Sequence, residues 1–285
     1  MTQPSVWIMS DGRAGIERQA VSLARALQAS PDFAQLSGFS GAGKRASPLR
    51  LTPRGWQVNL PPALWPNPLS LLSSDDADML RPPWPDLLIA NGRRSIAYAL
   101  FVKQQSRGRT MLVQIQHPRV ATRHFDLVVP PAHDQLVGPN VYNILGPPVW
   151  WSAEEINAAI ARFPHLAADP GRKVVVAIGG DSRTHRLTPA SLARIADALR
   201  AAHAQGAKLW ITVSRRTPAD ARDSLRALAA GLDARFWEDE QRDGPNPYLA
   251  FLALSDVAMV TEDSANMLAE PAFFGRPTFL PGLEG

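Results

Sequence analysis

The sequence contains no cysteine, so disulfides, zinc–thiolate centres and thiol nucleophiles are excluded by composition alone. It has no run of about 18 consecutive apolar residues, the length a helix needs to cross a bilayer. No basic and apolar leader precedes the strand-like run in MTQPSVWIMSDG, so no signal peptide is expected and the expected compartment is the cytoplasm. A large excess of charge of one sign is also lacking. Thirty Lys and Arg stand against 26 Asp and Glu, a formal net charge of +4, which suits anionic phosphates or a membrane surface. With no RNA- or DNA-binding signature in the chain, nucleic acid is not an expected partner.

What is present describes an α/β protein. At 285 residues, 45% hydrophobic and 20% charged, the chain is long enough for two domains with proper cores. Apolar runs at 6–9, 87–90, 111–115, 127–129, 173–178, 209–213 and 257–260 alternate with helix-period segments, the pattern of parallel sheets flanked by helices. Ile16, Ala20, Leu23, Ala24 and Leu27 share one helical face, as do Leu192, Ile195, Ala196 and Leu199, at the spacing of an amphipathic helix. Pro218 is expected at the first position of a helix. Gly146-Pro147-Pro148 interrupts the alternation, and Trp150-Trp151 precedes a fresh helix. Two Rossmann-like domains are therefore expected, 1–146 and 147–285, with the strand-end loops of both facing a shared cleft.

The segment 41–85 departs from this regularity. It carries Lys44, Arg45, Arg50 and Arg54 with Trp56, Leu60, Leu64, Trp65, Leu69 and Trp84 among many prolines. It reads either as an insertion whose tryptophans cover the domain surface, or as an interfacial patch whose cations meet anionic lipid while Trp and Leu enter the headgroups. Asp76-Ala77-Asp78 follows Ser73-Ser74 and no strand, so it reads as an exposed helix start or loop rather than a metal-binding pair.

The stretch 246–277 carries the most chemistry. A short helix leads to a buried strand, the polar turn Thr261-Glu262-Asp263-Ser264, and a second helix that ends at Gly275-Arg276-Pro277. A polar turn between strand and helix offers backbone N–H groups and a hydroxyl at the positive end of the helix, a seat for phosphate. Ordinary helix capping is the alternative for such a turn. Glu270, nearly two turns further on, is placed to accept hydrogen bonds from ribose hydroxyls, so the two together point to a nucleoside diphosphate. Two more loops fit the same anion: Gly179-Gly180-Asp181-Ser182, where glycine permits close backbone approach, and Ser214-Arg215-Arg216, where guanidiniums suit bidentate phosphate contacts. In the first half, Asp11 lies in a glycine turn, and His117 follows a strand either as a general base or as a loop-orienting side chain. Arg13, Arg93, Asn246 and Tyr248 complete the candidates. No metal ligand set is expected.

These residues lie in segments that resemble a known family. SDGRAGIERQA, ANGRRS, VQIQHPR, FDLVVPPAHD, GPNV, IGGDSRTHRLT, TVSRRTP, NPYLAFLALSD and TEDSANMLAEPAFFGRP are, in that order, similar to the bacterial and plant ELM family. Its plant members are described as mitochondrial-fission factors and its bacterial members are labelled nucleoside-diphosphate-sugar epimerases. The resemblance implies a fold like the GT-B glycosyltransferases. The terminal stretch resembles the donor half of the lipid-linked GlcNAc transferase of peptidoglycan synthesis. By that likeness Ser264 matches the diphosphate contact, Glu270 the ribose-binding glutamate and residues 180–182 the first phosphate-side loop. Two departures stand out. Pro271 follows Glu270 where alanine is usual, and the chain stops at Leu283-Glu284-Gly285, where GT-B proteins continue into terminal helices, so a truncated or unusually short member is expected.

The expected function is metal-independent transfer from a nucleotide-diphosphate sugar, without a cofactor, to an unidentified acceptor, a lipid-linked one among the options, that Asp11 or His117 deprotonates. Epimerisation or hydrolysis of the same substrate is the alternative chemistry. A non-enzymatic, membrane-associated interaction module at the inner membrane face is the alternative class.

Overall fold

The computed structural model describes residues 4–35, 47–65, 67–182 and 184–284. Lys44 and Arg45, two of the cations expected to meet lipid, lie outside the described residues. The chain divides into two compact units, Met1–Trp150 and Trp151–Gly285.

The first unit holds β1 (Val6–Ser10), β2 (Leu49–Arg50), β3 (Leu87–Asn91), β4 (Met111–Ile115) and β5 (Leu127–Val129). All pair in parallel in the order β2-β1-β3-β4-β5. Strands of such a sheet are covered on both faces, which is why their sequences run almost continuously apolar. Successive side chains point to opposite faces. Trp7, Met9, Leu88, Ala90 and Leu112 enter one core, and Val6, Leu87, Ile89, Val113 and Ile115 the other. The helix Ala14–Ala29 covers the second core through Ala20 and Ala24, and the more uniformly apolar helix Ile96–Gln105 covers the first.

The irregular insertion roofs that first core. Trp65 is 6% exposed and meets Tyr98 edge-on at 5.8 Å, while Trp84 meets Trp7 at 6.1 Å. Trp65 is thus a core residue and cannot enter lipid headgroups, a correction to the interfacial reading of the segment. Trp56 and Leu64 are the exposed members, at 70% and 63%. The Asp-Ala-Asp triplet falls in the short helix Ser74–Asp78, capped by the Ser73 hydroxyl.

The second unit begins with helix Ala153–Arg162, whose start is set by a reciprocal capping box between Ser152 and Glu155. Its strands are β6 (Lys173–Ile178), β7 (Lys208–Val213), β8 (Arg235–Trp237), β9 (Val257–Val260) and β10 (Thr278–Phe279), parallel in the order β10-β9-β6-β7-β8. Val174, Val176, Ile178, Leu209 and Ile211 pack against helices Pro189–Ala204 and Ala219–Gly231 through Ile195, Leu199, Leu225 and Ala229. On the other face Trp210 stacks on Phe251 of helix Tyr248–Leu254, with ring centroids 5.3 Å apart. Pro218 does not occupy the first helical position. It precedes Ala219–Gly231 with an extended ψ of 148°, because its neighbour Thr217 is tied back to the end of β6.

Candidate functional site

In an open parallel sheet, ligands meet the loops that leave the carboxyl ends of the strands. In the second unit β6 is central, with β9 on one side and β7 on the other. Ile178 pairs with Val213, and Ala177 with Val260, so the three strands end almost level. The loops 179–182, 214–217 and 261–264 are therefore neighbours.

Their contact runs through Asp263. Its side chain is fully buried and lies 2.6 Å from the Arg216 guanidinium. Its Oδ2 also accepts the Gly180 N–H at 3.2 Å, and its Oδ1 accepts the Thr261 hydroxyl at 2.7 Å. Thr261 Oγ1 in turn accepts the Gly179 N–H at 2.7 Å. From the other side the Thr217 hydroxyl donates to the Gly179 carbonyl and accepts the Ser214 N–H at 3.1 Å. Glycine is required at both loop positions. A Cβ on Gly179 would run into the Asp263 carboxylate, and one on Gly180 into the Arg216 carbonyl. Close approach is what these glycines permit, as their type indicates, but the atoms that approach are the protein's own.

The remaining candidates are held as follows. Asp181 accepts the Leu187 N–H at 3.1 Å and the Arg186 guanidinium at 3.0 Å, and these bonds, the backbone one first, hold its carboxyl below the usual range. The Ser182 hydroxyl accepts the His185 N–H at 3.0 Å and closes a local turn. Glu262 accepts the Leu283 N–H at 2.7 Å and so fixes the segment after β10. Ser264 caps helix Ala265–Phe273 through a long 3.5 Å bond from the Met267 N–H. Arg215 is exposed, and its guanidinium has no partner among the described residues. Glu270 is fully buried and accepts the Tyr248 hydroxyl at 2.6 Å, while Asn246 Oδ1 accepts the Tyr248 N–H at 2.9 Å. Asn246, Tyr248 and Glu270 thus form one connected group, and Gly180, Arg216 and Asp263 another.

In the first unit Asp11 pairs with Arg13 at 2.6 Å. It also rests on the turn after β3, where a Cβ on Gly92 would lie 2.6 Å from its carboxylate. Arg93 donates to the carbonyls of Asn59 and Leu60 at 3.0 and 3.2 Å and ties down the insertion. His117 Nδ1 accepts the Arg119 N–H at 2.9 Å, so the neutral ring carries its proton on Nε2. A polar cluster that sequence reasoning misses lies at these strand ends. Asn91 Nδ2 and Gln116 Nε2 both donate to Gln19 Oε1, at 3.0 and 3.1 Å, and Gln116 has a left-handed φ of 68°. Isolated amides in a sequence carry no spacing signal that would have marked them. Among the described residues no group of three or more His, Cys, Asp or Glu is placed to hold a metal ion, and no helix is long and apolar enough to cross a membrane.

Against known proteins, the family model described as Mitochondrial fission ELM1 matches residues 14–285. The mitochondrial fission protein ELM1 of Arabidopsis thaliana is 27% identical over 225 residues, covering 70% of this chain and 52% of the plant protein. The chain thus spans about half the length of that relative. An uncharacterised protein of Rickettsia prowazekii (strain Madrid E) is 22% identical over 313 residues, covering 97% of this chain and 82% of its own. Among solved structures, UDP-GlcNAc 2-epimerase from Neisseria meningitidis bound to UDP-GlcNAc matches with a TM-score of 0.50 and 10% identity, over 97% of this chain and 82% of that one. That likeness establishes the fold, a pair of Rossmann-like α/β units of the GT-B kind.

Proposed function

The chain belongs to the mitochondrial fission ELM1 family, and from that premise we propose that its second unit binds a nucleoside-diphosphate sugar at the ends of β6, β7 and β9, and that the protein transfers the sugar without a metal. The observation that carries the reading is the presence of Arg215 and Arg216 on one loop of a level, three-strand end, beside the N-terminus of helix Ala265–Phe273. Charge that develops on a leaving diphosphate is stabilised there by guanidinium and helix dipole together. The Neisseria enzyme of the same fold holds UDP-GlcNAc, which supports a nucleotide sugar as the ligand class. Glu270 is fully buried with the Tyr248 hydroxyl on its Oε2, so ribose recognition by Glu270 requires local opening that brings the carboxylate within reach. For the acceptor proton the candidates are Asp11, which enters already paired with Arg13, and His117, which can take up a proton only by giving up its Nδ1 contact with the Arg119 N–H.

Thermal-shift titration against UDP-, GDP-, ADP- and CMP-sugars tests the reading, since a ligand of the native state raises Tm in a concentration-dependent way. At least one sugar nucleotide is expected to do so, and Arg215→Ala is expected to weaken that response by about tenfold or more, as for loss of one charge-assisted contact. A flat response to all of them removes the proposal. Product assays without acceptor then separate epimerisation and hydrolysis from transfer.

A second reading, membrane attachment, is favoured by the exposure of Trp56 and Leu64. Vesicles containing anionic lipid are expected to carry the protein in flotation, and Trp56→Ala to reduce that fraction; protein that stays at the bottom of the gradient rules attachment out.

A further inference from the structure

The glycine loop is compatible with phosphate in sequence, yet three of its four amides are already engaged. The Gly179 N–H goes to Thr261, the Gly180 N–H to Asp263 and the Ser182 N–H to the His185 carbonyl. In the next loop three of four amides are likewise taken. Ser214 N–H bonds to Ile178, Arg216 N–H to the Ser214 hydroxyl and Thr217 N–H to the Ser214 carbonyl. Apart from the Asp181 and Arg215 N–H groups, what these two loops leave for an anion is guanidinium. Arg216 is 43% exposed and uses Nη2 on Asp263, so other donors of its five-donor fork stay available. The guanidinium of Arg215, beside it, has no partner among the described residues, and only its carbonyl is engaged, by Arg222.

We propose that Asp263 is the positioning residue of this seat, a fixed internal anion that holds Arg216 in place so that its guanidinium and that of Arg215, rather than the glycine-loop amides, read the diphosphate. The inference rests on the nucleotide reading above and names how that site recognises its ligand. Asp263 is well built for the task. Its carboxylate is boxed in at Gly179 and held by a backbone N–H, a hydroxyl and a guanidinium. Swinging it away would leave buried donors without acceptors, which is costly. An arginine ordered before binding loses less side-chain freedom when the ligand arrives. The idea has a sharp sign. A carboxylate close to a bound anion repels it, so bare electrostatics predicts that Asp263→Asn tightens binding. Positioning predicts the opposite.

The test is calorimetric titration of the full chain with UDP, GDP and ADP, using whichever binds. Arg216→Ala is expected to weaken binding by about tenfold or more, as for loss of a charge-assisted contact. Asp263→Asn is expected to weaken it about three- to tenfold, within the range of pairwise coupling energies. Because Asp263 acts through Arg216, the double variant is expected to bind no worse than Arg216→Ala alone, whereas Asp263→Asn combined with Arg215→Ala should multiply the two losses. This coupling is a readout that general destabilisation would not produce. Unchanged or tighter binding by Asp263→Asn overturns the proposal, as does a multiplicative loss in the Arg216 double variant. If Asp263→Asn does not fold, Arg216→Lys decides: it keeps the charge and the ion pair, lacks the planar fork, and is expected to bind several-fold more weakly, equal affinity being the overturning result. If the unaltered protein binds none of the three nucleotides, the nucleotide reading itself fails and this inference with it. Binding that ignores the Arg216 and Asp263 variants removes the inference alone.

Discussion

Gly179 and Gly180 show how narrow the tolerance is at the centre of the second unit. Each sits where a single added carbon meets another loop, a carboxylate in one case and a main-chain carbonyl in the other. Gly179→Ala is therefore expected to destabilise the protein by about 1–3 kcal/mol, the usual range for overpacking, read as a lowered midpoint in urea denaturation. A midpoint equal to that of the unaltered protein would show that the loops do not close on each other. Residue type made these positions conspicuous in the sequence, because adjacent glycines after a buried strand signal close approach. What approaches was not legible. The carboxylate that fills the gap lies 83 residues away from Gly180.

Among the elements, the long buried strands were readable because continuous apolar runs have no other comfortable home. β2 and β8 were not. They contain two and three residues, too few to display any alternation, and they exist because a neighbouring strand offers them a ladder. β8 leads into an ion-pair network that fastens helix Ala219–Gly231. Glu238 meets Arg222, Arg226 and Arg242, each at 3.1 Å, and Arg226 also grips both Asp243 oxygens, at 2.8 and 2.7 Å. That grip holds the Asp243 carboxyl below its ordinary value. A carboxyl depressed on folding adds stability above its unfolded pKa of about 3.9, and that stability is lost as pH falls from there through the folded value. The Tm is thus expected to drop as pH falls below about 4. Asp243→Asn should start less stable at neutral pH and fall less steeply in acid; parallel pH profiles for the two proteins would refute this.

At the scale of the whole molecule, each unit carries its own pair of cores on the two faces of its own sheet. A body with a complete core can fold alone. The fragment 151–285 is expected to give a single cooperative urea transition followed by tryptophan fluorescence, reporting on Trp210, which is buried between sheet and helix. A gradual, non-cooperative change would show that the unit depends on residues outside it.

Periodicity, capping and turn chemistry act over a few residues, so sequence alone determined that this is an α/β chain of two sheets, where most of its strands and helices lie, and which loops carry glycine, arginine and hydroxyl groups. Strand order is not local. Only by setting β9 and β7 on either side of β6 does the tertiary structure bring Asp263 to Gly180 and to Arg216, 47 residues from it, and so decide which donors are consumed internally and which remain to meet an anion.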